Sequence, residues 1–336
     1  MLKSKISLLF ALFLCAMSAV ATYMFTKEYE ENKTANIPAI PNSSLNDCNF
    51  KTVRLAGYEY ISPLLFTEKS CSSIKLNTVQ QELQRVIDKY KQTGTIATAS
   101  VYLRHLNDGE WININESERY YPGSLMKVPE LITFMKMNEQ QPGLLNKSVR
   151  YDKEFNLPKT AVYTSKSIEP GKSYTIKELL YYMIAYSDNN ATMLLNSMMD
   201  TKIFKKVFTD LGIPEPDLTK KDLPLTARHF SLFMRSVYNA CYLNKNDSEF
   251  CAELMSHSDF NDGMVSGLPK NIKVVHKFGE AGDTDFAHFS ESGIVYTKNA
   301  TYLITVMTKG KKLNLLPAVV KEISGQAYNM LNTIES

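Results

Sequence analysis

The hydrophobic period of this chain changes twice, and that change limits the fold more than any other feature. Val79, Leu83, Val86, Ile87 and Tyr90 recur at helical spacing, and Gly94 marks the stop. Residues 95–106 are rich in β-formers, Asn107-Asp108-Gly109 is a turn signal, and residues 110–115 alternate as a returning strand, which predicts a hairpin. The middle then reads as helices. One opens at Ser124, with Val128, Leu131, Ile132 and Met135 on one face. A second starts at a Thr175/Glu178 capping box, with Tyr174 and Leu179 placed as a staple, and runs to about Tyr186; a third covers 227–238. From Ile272 the strand period returns, over 272–278, 293–296 and 301–308, and a last amphipathic helix carries Val320, Ile323, Ala327 and Leu331. Strands at both ends with helices between predict an α+β fold, one sheet built from both ends of the domain with a helical region inserted.

A hydrophobic content of 44% with 22% charged residues is that of a globular core. The net charge of +3, without a basic run, makes nucleic acid a poor choice of partner. Lys3 and Lys5 precede an apolar run of about 20 residues, long enough to span a bilayer if uncut. Ala19-Val20-Ala21 offers a small-x-small cleavage site. Residues 1–26 are therefore expected to be an export signal or a retained N-terminal anchor, placing the protein in the periplasm or outside the cell. Membrane contact would come only through that segment uncleaved. Residues 27–75, at first rich in Asn, Ser, Glu and Pro, read as a linker or arm, and 76–336 as the main domain, taken as a monomer. Outside the export segment stand Cys48, Cys71, Cys241 and Cys251, an even number in an oxidising compartment. The simplest pairing is local, Cys48–Cys71 and Cys241–Cys251; the alternative is buried free thiols.

Three short motifs carry the chemistry, in a fixed order: Ser124-Leu125-Met126-Lys127, Ser187-Asp188-Asn189 and Lys277-Phe278-Gly279. Alone, the first is weak, since Ser72-Ser73-Ile74-Lys75 repeats it with nothing behind it, and an ordinary helix N-cap with a solvated lysine would explain it. In this order the three resemble the serine β-lactamases of class A and the related penicillin-binding DD-peptidases, over roughly Thr78 to Leu331. The resemblance implies an antiparallel five-stranded sheet flanked by N- and C-terminal helices, with an inserted all-helical lobe. It also implies hydrolysis of an amide or β-lactam through an acyl-serine, with no cofactor and no metal. The substrate would be a β-lactam or a peptidoglycan peptide. A D-Ala-D-Ala peptidase, or an anchored β-lactam sensor with little turnover, are the rival activities.

The residue types fit those roles. A serine hydroxyl needs a base, and Lys127, one helical turn on, serves if burial or a second cation lowers its pKa. Lys277, on a later strand, is expected to be that cation and to attract a substrate carboxylate. Ser187 is suited to passing a proton to the leaving nitrogen, and Asn189 to holding Lys127 and a substrate carbonyl, with Asp188 a helix cap. Gly279 is read as leaving room for substrate along the strand, and the backbone N–H of Glu280, with that of Ser124, as the oxyanion hole. Two departures stand out. Phe278 replaces the usual Thr or Ser, removing a hydroxyl for the substrate carboxylate at a cost of about 1–2 kcal/mol. The expected Glu-x-x-Leu-Asn loop is matched only by Glu215-Pro216-Asp217-Leu218-Thr219, so Glu215 is either the deacylation base or a turn residue. His276 and His288 flank the active strand region.

Overall fold

The computed structural model describes residues 49–152, 155, 163–220, 223–282, 285–298 and 300–334. In chain order these form β1 (Phe50–Arg54), β2 (Leu64–Lys69), α1 (Asn77–Gln92), β3 (Thr98–His105), β4 (Trp111–Ile114) and a 3₁₀ turn (Gly123–Met126). There follow α2 (Lys127–Gln140), β5 (Ser148–Tyr151), β6 (Lys172–Thr175), α3 (Ile176–Ala185), α4 (Asn189–Asn196), α5 (Thr201–Asp210), α6 (Ala227–Tyr238) and α7 (Lys245–Ser256). The chain closes with β7 (Lys273–Gly282), β8 (Ala287–Tyr296), β9 (Tyr302–Gly310) and α8 (Leu316–Ile334).

The central sheet runs β4-β3-β9-β8-β7, every neighbouring pair antiparallel, so strands from the two ends of the domain meet where β3 pairs with β9. Both faces are covered, and β9 shows how. Tyr302, Ile304 and Val306 join the core formed with α1 and α8, while Leu303 and Met307 join that of the helical lobe, as the two-residue period of a strand requires. α1 contributes Val79, Leu83, Val86 and Ile87 to the first core, the stripe expected from its spacing, and Gly94 follows it with φ of 69°. The box at α3 forms in both directions: Glu178 N donates to Thr175 Oγ1 at 3.1 Å and Thr175 N to Glu178 Oε2 at 2.7 Å.

Three expectations need correction. β8 begins at Ala287, well before the expected Gly293, because its first half is polar yet buried. Glu291 accepts from His276 Nδ1 at 2.8 Å and from Met264 N at 2.7 Å, and Ser292 Oγ meets Thr305 Oγ1 at 2.6 Å. The arm before α1 is not a plain linker from residue 50 onward, since β1 and β2 form a hairpin there. Glu68 on β2 ties it down, facing Arg104, Arg228 and Arg235 at 3.6, 3.4 and 3.5 Å. Cys241 and Cys251 are free thiols, not a pair: Cys251 is fully buried in the lobe core, and the Cys241 thiol points to Ser236 O. Cys48, the expected partner of Cys71, lies outside the described residues, as does the N-terminal apolar run. No helix among the described residues is long and apolar enough to cross a membrane.

β7 is an edge strand of the central sheet, and the 3₁₀ turn carrying Ser124 is locked against it by two glycines. A Cβ on Gly123, whose φ is 54°, would lie 2.1 Å from Glu280 O. A Cβ on Gly279 would lie 2.1 Å from Pro122 O and 2.7 Å from Leu125 N. Gly279 thus makes room for the serine turn itself, a tighter requirement than the clearance for substrate read from the sequence. Since neither neighbour is a flexible side chain, Gly279→Ala is expected to destabilise the protein by about 1–3 kcal/mol, as overpacking does. Denaturant unfolding of the variant beside the wild type measures this, and an unchanged midpoint would contradict the interlock.

Candidate active site

Ser124, Lys127, Ser187 and Asn189 line one cavity of about 690 Å³ between the helical lobe and the β7 edge. Each arrives on a different local device. Ser124 sits in the 3₁₀ turn, and Lys127 opens α2 directly after it. Ser187 occupies the break between α3 and α4 with φ of 52°, a left-handed conformation that a serine holds only when its surroundings insist. Those surroundings are the capping contacts of Asp188, whose carboxylate accepts from Asn190 N, Ala191 N, Ile168 N and Ser167 Oγ. Asp188 is the cap expected of it, and it ties down the segment at 167–168 as well.

Lys127 is nearly fully buried and spends its ammonium on Ser187 O at 2.6 Å, Asn189 Oδ1 at 2.8 Å and Ser187 Oγ at 3.1 Å. Lys277 comes from the opposite side on β7, wholly buried, and donates to the same Ser187 Oγ at 2.9 Å and to Phe278 O at 3.0 Å. One hydroxyl oxygen therefore bridges two amines. Burial pulls the Lys127 ammonium well below its ordinary pKa of 10.5, with Glu130 and Asp188 opposing. Lys277 is also driven well below 10.5, first by burial and then by the positive charge of Lys127.

The interlock also brings together the two backbone N–H groups expected to act as a pair. Ser124 N lies 3.0 Å from where a Cβ on Gly279 would stand, and Glu280 N lies 3.1 Å from where one on Gly123 would stand. Phe278 is buried, with its ring 4.3 Å from Lys277 Nζ on one side and stacked on Phe260 at 4.0 Å on another, Tyr163 meeting it edge-on. In place of a hydroxyl, Lys277 has an aromatic face beside it.

Glu215 is placed elsewhere. Its side chain is 55% exposed, pairs with Lys205 at 2.8 Å and does not line the cavity. His276 and His288 are also turned to structural tasks: His276 meets Glu291, while His288 Nδ1 accepts from Tyr121 N at 3.0 Å under a stacked Tyr121 ring. Reading the sequence alone missed Glu130, Thr192 and Tyr163, which share the cavity. For Glu130 a signal existed, because it follows Lys127 by the same three residues that separate Lys127 from Ser124.

The chain matches the model of the beta-lactamase enzyme family over residues 78–331. A beta-lactamase of Proteus vulgaris is 28% identical over 265 residues, spanning 74% of this chain and 81% of that protein. Beta-lactamase VEB-1 of Pseudomonas aeruginosa is 26% identical over 204 residues, spanning 55% and 68%. Among solved structures, that of PBP-A aligns with a TM-score of 0.65 at 20% identity, covering 77% of this chain and 97% of that one. A beta-lactamase from Chitinophaga pinensis DSM 2588 aligns with a TM-score of 0.65 at 18% identity, covering 76% and 99%. At such identities these structures show the shared α+β fold.

Burial of the two lysines, with the charge of Lys127 beside Lys277, has a measurable consequence. A lysine whose folded pKa is depressed leaves the folded protein with fewer bound protons than the unfolded chain, so stability rises with pH up to about 10.5. Lys127→Met removes one such group and relieves the other. The gain in unfolding free energy between pH 7 and pH 9 is expected to shrink in this variant, as read by denaturant titration at both values; an unchanged gain would argue against the coupling.

Proposed function

The chain belongs to the beta-lactamase enzyme family, and from that premise we propose that it is an exported serine hydrolase of the class A type, opening β-lactam rings through an acyl-Ser124 intermediate. The observation that carries this reading is Ser187 Oγ held between Lys127 and Lys277 in the cavity that Ser124 lines. A serine hydroxyl has two acceptor sites and one proton. With both acceptor sites taken by amines, the proton of Ser187 is left to donate elsewhere.

The acylation sequence follows. Lys127, in its neutral form, takes the proton of Ser124, and Oγ bonds to the lactam carbonyl carbon. The oxygen that gains charge is met by the N–H groups of Ser124 and Glu280. The carbon–nitrogen bond then breaks, the nitrogen taking the Ser187 proton, which Lys127 replaces. Lys277 supplies positive charge for the substrate carboxylate, without the hydroxyl that Phe278 displaces. Periplasmic or secreted location, through removal of residues 1–26, belongs to the same proposal. So does a Cys48–Cys71 disulfide, supported by the bonded state of Cys71.

The position of Glu215, outside the cavity, favours a second reading in which the acyl-enzyme is long-lived and the natural substrate is a peptidoglycan peptide. Intact mass over time after mixing with benzylpenicillin tests both. A Ser124-dependent adduct, absent in Ser124→Ala, is expected; its loss as hydrolysed drug accumulates marks a β-lactamase, and its persistence for hours a peptidase. No adduct on folded protein would overturn the acyl-serine reading. Because the base is a lysine of lowered pKa, the acylation rate is expected to climb with pH, with a midpoint below 10.5. A rate that is flat from pH 5 to 10 would remove Lys127 from that role.

A further inference from the structure

Glu130 is a buried carboxylate that the acylation chemistry does not use. It lies on α2, only 8% exposed, and lines the same cavity as Ser124. Asn196 Nδ2 donates to its Oε1 at 3.3 Å, while Oε2 is buried with no hydrogen-bond partner among the described residues. Burying a carboxylate oxygen without a donor is costly, and such groups in folded proteins call for an explanation. Lys127 and Glu130, three residues apart on α2, are neighbours on one face of it, directly after the 3₁₀ turn that carries Ser124. Glu130 and Lys127 are close enough that the carboxylate charge opposes the lowering of the Lys127 pKa. Of the described residues lining the cavity, two carry carboxylates, Glu130 and Glu280. Glu280 already accepts from Tyr163 N at 3.4 Å.

We propose that Glu130 is the general base that activates the water hydrolysing the acyl-Ser124 ester, the task that Glu215 is too far out on the surface to perform. The inference rests on the acyl-serine reading above. A water held against Glu130 from the cavity gives one proton to its carboxylate as the water oxygen bonds to the acyl carbon. The bond from that carbon to Ser124 Oγ then breaks, and Glu130 passes its proton to Lys127, neutral since the end of acylation, which hands it on to Oγ. Glu130 is then a carboxylate and Lys127 neutral again, leaving free enzyme and the hydrolysed acid. Burial holds the Glu130 carboxyl above the usual carboxylate range, against the lowering pull of Lys127, which brings its basicity closer to that of an effective base at neutral pH.

The experiment compares wild type, Glu130→Gln and Glu130→Asp by intact mass after mixing with benzylpenicillin, beside a continuous assay of drug hydrolysis. Folding of each variant is checked by circular dichroism and melting temperature. Glu130→Gln is expected to form the Ser124 adduct and to lose it at least 100-fold more slowly than wild type, the span typical of a lost general base. Glu130→Asp, with a shorter carboxylate, is expected to fall between, and it carries the test alone if the Gln variant does not fold. Adduct loss at the wild-type rate in the folded variants would overturn the assignment. So would a wild-type adduct that itself persists for hours, which would leave acylation at Ser124 standing without Glu130 as a base. Absence of any adduct on wild type would instead remove the acyl-serine reading and this inference with it.

Discussion

Two buried amines, Lys127 and Lys277, converge on the single hydroxyl of Ser187, and the rest of the site is arranged so that this contact can exist. Two cations so close and so dry repel each other and lose hydration. Burial lowers the pKa of both, and the charge of Lys127 lowers that of Lys277 further. The protein offsets the cost with carbonyl and amide oxygens: Ser187 O and Asn189 Oδ1 for Lys127, Phe278 O for Lys277. Reaching Ser187 O and Oγ at once requires the left-handed backbone at Ser187, and Asp188 secures that conformation by capping α4. A strained residue, a cap and two depressed lysines are thus one arrangement, and it is the arrangement that an acylating serine needs beside it.

The architecture delivers the two lysines from independent elements. Lys127 arrives on a helix of the lobe and Lys277 on an edge strand of the sheet, so their separation depends on how closely lobe and sheet meet. The interlock of Gly123 and Gly279 sets that approach at the Ser124 turn, with backbone against backbone and no side chain to give way. The same approach brings the N–H groups of Ser124 and Glu280 together. Phe278, between Lys277 and Gly279 in sequence, fills its place with an aromatic stack on Phe260 and stands beside the Lys277 amine. Its position adds packing to the strand where the resemblance implies a polar contact with substrate.

Much of this was legible in the sequence, for reasons that differ from residue to residue. α1, α3, α6 and the β3–β4 hairpin follow from period, caps and a glycine turn, all local signals. Ser124, Lys127, Ser187, Asn189 and Lys277 were found through their order, and the fold brings them to one place. What escaped depends on distant partners. The first half of β8 reads as polar because Glu291 and Ser292 are matched inside the protein by His276 and Thr305. Cys241 and Cys251 stand close enough in sequence to suggest a bridge, yet α7 turns Cys251 into the core. Glu215 carries a sequence motif whose place in space is a surface ion pair with Lys205, while Glu130, marked in sequence only by its three-residue spacing from Lys127, lies in the cavity. Burial of an acid is not written in its neighbours along the chain.

The most direct test of the central claim is a crystal structure of the protein after brief exposure to benzylpenicillin. Continuous density from Ser124 Oγ into the opened drug is predicted, with the acyl oxygen within hydrogen-bond reach of the N–H groups of Ser124 and Glu280 and Ser187 still bridging the two lysines. A drug bound covalently at another residue, or an acyl oxygen turned away from those two N–H groups, would contradict the account.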